Sequence, residues 1–171
     1  MVRVVADGPA QVARVADISV DDAEACARRY GVRLVVVPGH EPIPGSYWGA
    51  PEAGLLGNCL FARWDTPVHS LLHELCHYVC MDGRRRAALA TDAFGDDDEE
   101  CAVCFLQVLL ADAVPRFGRA RCLDDMDAWG YSFREGDARA WLEGDGVTAR
   151  TWLLERGLID ARSRPTYRSV P

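Results

Sequence analysis

Residues His73-Glu74-Leu75-Cys76-His77 place two imidazoles four positions apart, with a carboxylate directly after the first. On an α-helix, positions i and i+4 share a face about 6 Å apart along the axis, so both rings can reach one metal ion. Glu74 falls about 100° round from His73. It stands beside such an ion instead of on it, where a carboxylate can take a proton from water. This is the HExxH pattern, and the chemistry it points to is metal-assisted hydrolysis.

A four-coordinate catalytic zinc takes three protein ligands and leaves one position for water. The chain has four histidines, His40, His69, His73 and His77, and none lies downstream of the motif. His69 is two turns before His77, about 12 Å along the axis, so one ion cannot take all three. It reads as a cleft residue supporting the site, or as a polar residue in the first turn of the helix. The third ligand is therefore expected to be a carboxylate. Asp96-Asp97-Asp98-Glu99-Glu100 leads into the apolar run Cys101 to Leu110, and dipole complementarity alone accounts for Asp96 to Asp98.

An HExxH helix followed by a second helix bearing Glu-x-x-Ala resembles the gluzincin metallopeptidases, in particular the short ImmA/IrrE-like ones. Glu99-Glu100-Cys101-Ala102 carries the second half of the match. The resemblance implies Glu99 as third ligand, Ala102 permitting close helix packing, with Glu100 the neighbouring alternative. It further implies one zinc ion, a peptide or protein substrate, and Glu74 as general base in peptide-bond hydrolysis. It also implies that an extended peptide pairs with the strand preceding the motif helix. The likeness spans roughly residues 30–112. Beyond it, the aromatic cluster around Trp129 and Tyr131 reads first as core packing. The functional alternative is that Tyr131 or Arg134 donates to a developing oxyanion, since hydrolysis needs a donor and no later histidine exists.

These residues need elements to hold them. Thr66 suits an N-cap and Pro67 a first helical position, so the motif helix is expected from Pro67 to Met81, ending at Asp82-Gly83. Leu71, Leu72, Leu75, Tyr78 and Val79 cover its far side, which calls for burial. Upstream, Ser19 caps a helix to Tyr30, Gly31 stops it, and Val32 to Val37 reads as a strand. Pro38 to Gly54 is a proline- and glycine-rich loop, and Asn58 to Arg63 a second strand. After Pro115 the chain is aromatic and charged. Helices follow at Asp137 to Glu143 and Val147 to Arg156, with Trp141, Trp152, Leu153 and Leu154 toward the core.

The expected fold is α+β and zincin-like: a small mixed or antiparallel sheet on the HExxH helix, a helical C-terminal part, and one domain over residues 1–171. At this length about 70% of the unfolded surface can be buried. A net charge of −7 and a pI near 5.0 argue against nucleic-acid and anionic-membrane partners. Arg84-Arg85-Arg86 and Arg162, Arg164 and Arg168 read as solvated loop and terminus. No apolar run reaches 18 residues and no signal peptide is evident, so a cytoplasmic location is expected; the oligomeric state is left open. Seven cysteines, an odd number, suit reduced thiols. Cys76, Cys80, Cys101 and Cys104 could meet as a second zinc site, but tight helix packing explains their spacing more simply. The function expected is that of a zinc metallopeptidase. The alternative is a zinc-stabilised regulatory or binding protein without turnover.

Overall fold

The computed structural model describes residues 3–4, 11–90 and 93–171. The N-terminal stretch read above as carrying no signal peptide lies almost entirely outside them. In chain order, β1 is Arg3–Val4, and Ser19 then caps helix α1, Val20–Arg28, its hydroxyl accepting from the Asp22 amide at 3.3 Å. Gly31 (φ 75°) turns the chain into strand β2, Arg33–Val36. β3 (Gly54–Leu56) and β4 (Cys59–Ala62) follow as a hairpin. The sheet is mixed, in the order β2-β4-β3: β2 runs parallel to β4, and β3 antiparallel to it.

β3 begins at Gly54, the last residue of the segment read as loop, and its other two residues carry no expected element. It is too short for a period-2 signal, and partnership with β4 makes it a strand. Its outer side is not open. Leu55 N–H donates to the Gly45 carbonyl at 3.4 Å, and a Cβ on Gly54 would stand 2.1 Å from the Pro44 carbonyl oxygen. The expectation that a peptide pairs with the strand before the motif helix therefore fails for β4, which is central and paired on both sides. The loop around Gly45 backs the edge strand.

The motif helix α2 spans Val68–Cys80, one residue shorter at each end than expected. Pro67 is its N-cap, not its first turn, because Thr66 spends its hydroxyl on the Arg63 amide at 2.9 Å. Asp82 opens a further short helix, α3 (Gly83–Ala88), by accepting from the Arg84 and Arg85 amides. The arginine run is thus helical and not a loop; Arg85 and Arg86 are engaged, while Arg84 is exposed. Arg86 also clasps the Met81 and Val170 carbonyls. The C-terminal tail is docked, Val170 N–H donating to Val79 on α2 at 3.0 Å, while Arg162, Arg164 and Arg168 are exposed as expected, Arg164 pairing with Asp160 at 2.7 Å.

Helix α4, Asp97–Ala111, begins at Asp96, which accepts from the Glu99 amide at 2.9 Å. From Ala102 to Ala111 it is buried on every side, as a helix apolar all round must be. It packs against α2, against α5 (Gly118–Trp129) and against α7 (Gly146–Glu155). Leu106 and Leu110 are wholly buried, and truncating either to alanine is expected to cost about 2–5 kcal/mol. α5 was read from sequence only as an aromatic and charged stretch; five of its residues, including Trp129, are buried. Strand β5, Tyr131–Ser132, pairs antiparallel with β1, and α6, Ala138–Glu143, completes the C-terminal part. The fold is α+β with a small mixed sheet and a helical C-terminal part. Among the described residues no helix is long and apolar enough to cross a membrane.

Candidate metal centre

Packing of α2 on α4 brings His73, His77 and Glu100 together. His73 Nε2 lies 3.1 Å from His77 Nε2 and 3.2 Å from Glu100 Oε1, and His77 Nε2 lies 3.5 Å from the same oxygen. Zinc holds nitrogen and oxygen ligands at about 2.0–2.2 Å, so tetrahedral ligand atoms stand about 3.3–3.6 Å from one another. The three atoms already keep close to that triangle. Glu100 Oε2 and His77 Nδ1 are buried without a protein partner, a state that is costly unless a ligand or water serves them. The three residues can hold a metal ion, and they are the one group of this kind among the described residues.

Burial raises the pKa of the Glu100 carboxyl, but hydrogen bonds with His73 and His77 outweigh it and hold the group well below the ordinary carboxylate range. Glu74, one residue along α2, is held above that range by burial, with the His77 and His73 imidazoles opposing. An acid at His73+1 kept off the metal triangle and partly desolvated is what a proton acceptor requires.

Glu99 has a different task. Both its oxygens accept from Arg85 Nη1, at 2.8 and 2.7 Å, while Arg85 Nη2 reaches the Ala93 and Phe94 carbonyls at 3.0 and 2.8 Å. A Cβ on Gly95 would fall 2.3 Å from Glu99 Cδ, so glycine there gives the carboxylate room. Glu99 thereby fastens α3 and the following loop to α4. Of the two alternatives for a third ligand, Glu100 and not the preferred Glu99 stands beside the imidazoles. The physical reason is rotation: about 100° per residue turns Glu100 to α2 and Glu99 to α3. With Glu100 as ligand, the residue three positions on is Val103, so the Glu-x-x-Ala frame behind the resemblance does not coincide with the metal-type group.

Tyr131 sits beside His73, ring centroids 5.8 Å apart and nearly perpendicular, and is 7% exposed. Its hydroxyl is 3.4 Å from Nδ1 of His69. His69 is wholly buried against Trp129 and Tyr131, and burial lowers its pKa to about 3. Arg134 pairs with Asp145 at the surface. One residue escaped the sequence reading. Gln107 is wholly buried, with Oε1 2.9 Å from His73 Nδ1. Its signal was available: it is the sole amide in an otherwise apolar helical run, two turns after Glu100.

All seven cysteines are free. Burial raises the Cys76, Cys80 and Cys104 thiols, which keeps them protonated, and among the described residues no thiol cluster of metal-binding type forms. At one rim, Phe94 meets His77 at 5.7 Å between centroids, Tyr47 meets Phe94 at 5.0 Å, and Trp48 meets Tyr47 at 5.1 Å. These three rings stay exposed.

No family profile, no curated protein and no solved structure matches this chain. The site stands on its own geometry.

Proposed function

We propose that the chain is a zinc-dependent peptidase whose motif helix and α4 form a zincin-like pair, with His73, His77 and Glu100 as metal ligands. The observation that carries this reading is the convergence of those three donor atoms next to the free carboxyl of Glu74. Zinc in that position would supply Lewis acidity, lowering the pKa of water toward about 7 and polarising a carbonyl. Glu74 takes the proton from the attacking water and passes it to the leaving amine. The aromatic rim of Tyr47, Trp48 and Phe94 offers an apolar side chain of the substrate a surface next to His77.

A second reading has specific support. The sheet edge where an extended peptide would pair is backed by the Gly45 loop, and the Tyr131 hydroxyl is turned to His69. Both favour a zinc-stabilised regulatory or binding protein without turnover. Metal analysis and a casein and peptide panel on wild type and Glu74→Gln separate the two. The peptidase reading expects stoichiometric zinc in both proteins and cleavage by wild type alone. Zinc with no cleavage across the panel supports the second reading, and a wild type without zinc overturns both.

A further inference from the structure

Behind His73, on the side away from Glu100, lies a sealed polar row inside an apolar core. Gln107 and His69 are wholly buried, and Tyr131 nearly so. Gln107 Oε1 stands 2.9 Å from His73 Nδ1, its amide nitrogen lies 4.0 Å from Cys122 Sγ, its amide interacts with the Tyr131 hydroxyl, and that hydroxyl is 3.4 Å from His69 Nδ1. Burying four polar side chains in line is expensive unless each is matched to the next. The mechanism above uses only His73 among them.

The hydrogen-bond directions along this row are linked. An amide oxygen can only accept, so His73 Nδ1 must carry the proton and donate it to Gln107 Oε1. The Gln107 N–H then donates to the Tyr131 oxygen, and the Tyr131 hydroxyl proton goes to His69 Nδ1. In that arrangement, once a metal ion takes the place of the proton shared with Glu100, His73 Nε2 is the lone pair facing His77 and Glu100. Were the Gln107 amide turned over, its N–H would donate to His73 Nδ1, the ring proton would sit on Nε2, and the ligand atom would be blocked.

We infer that Gln107, backed by Tyr131 and His69, is a positioning residue that selects the His73 tautomer and so presents Nε2 to the metal. The inference rests on the metal-site reading above but not on hydrolysis. It assigns the Tyr131 hydroxyl to this row and not to the substrate. Groups that orient a ligating imidazole through its other nitrogen typically govern metal affinity by 10–100-fold.

Three variants and one spectrum test it. Zinc affinity is measured by chelator competition on Gln107→Leu, Gln107→Glu and Tyr131→Phe, with thermal melts of the metal-free proteins as the control for folding. Gln107→Leu is expected to weaken zinc binding about 10–100-fold. Gln107→Glu, whose carboxylate can only accept, is expected to restore or exceed wild-type affinity. Tyr131→Phe is expected to weaken zinc binding by less than Gln107→Leu. Nitrogen-15 NMR of wild type should show His73 protonated on Nδ1, a readout that needs no variant to fold. Wild-type affinity in Gln107→Leu overturns the inference, as does a His73 ring protonated on Nε2 in the zinc-loaded protein. Unchanged zinc affinity with lost cleavage in Tyr131→Phe also overturns it, and returns that hydroxyl to the oxyanion. Absence of zinc from wild type is the separate failure of the underlying site.

Discussion

Glu99 and Glu100 are the same residue type, adjacent in sequence, yet the two faces of α4 use them in opposite ways. On the α3 side, both Glu99 oxygens meet Arg85, whose other nitrogen is taken up by two backbone carbonyls. That face is closed, and its ion pair joins elements. On the α2 side, Glu100 meets two imidazole nitrogens at 3.2 and 3.5 Å and keeps an oxygen unmatched, with the Glu74 carboxyl desolvated nearby. That face leaves polar groups in want of a partner. A structure that satisfies one face and under-satisfies the other leaves the first closed and the second able to take a ligand.

The sharpest test is Glu74→Gln. If the α2 face is catalytic, peptide hydrolysis should fall about 10²–10⁴-fold while zinc content stays at wild-type level. Parallel metal analysis and initial rates would show this, and loss of zinc would move Glu74 from base to ligand. Next in size is Glu100→Ala. Zinc binding of about 10–16 kcal/mol shared among four ligand positions assigns each about 2.5–4 kcal/mol, so affinity should drop by about 10²–10³-fold. An equal loss in Glu99→Ala would erase the contrast between the two faces.

The metal-free protein offers a third test, by pH. Burial raises the folded-state pKa of Glu74 above its unfolded value, so between the two the folded chain binds more protons than the unfolded chain. Stability therefore falls as pH rises from the ordinary glutamate value through the raised one, at up to about 1.4 kcal/mol per pH unit. Glu74→Gln lacks this component. Denaturant melts should find the variant more stable than wild type at pH 8, with the gap closing toward pH 4. The smallest effect belongs to Glu99→Ala, which should leave zinc affinity unchanged and reduce stability by about 1–2 kcal/mol. The discount reflects Arg85, whose side chain is 35% exposed and keeps its two carbonyl partners.

Much of the scaffold was legible because local physics governs it. Ser19 and Gly31 bracket α1, and the two C-terminal helices lie within a residue of their expected bounds. What escaped was set by partners distant in sequence. β3 is a strand because β4 pairs with it, and α5 is amphipathic only in the sense that α4 and α2 cover some of its residues. Thr66 was the natural cap for α2 until the turn from Arg63 claimed its hydroxyl.

For the site, the sequence alone determined that His73 and His77 share a helical face with Glu74 beside them, because a four-residue spacing on an α-helix admits no other arrangement. It determined too that an acid from the run before Cys101 was the available complement. Which acid, and what stands behind the ligands, belonged to the tertiary structure. The rotation of α4 against α2 turns Glu100 inward and Glu99 to Arg85. The same packing carries Gln107, Tyr131 and His69, separated by up to 62 residues, into one buried row. Helical periodicity orders residues along one element. The relative rotation of two helices is decided by how all their side chains fill the space between them, and no spacing within either helix contains that information.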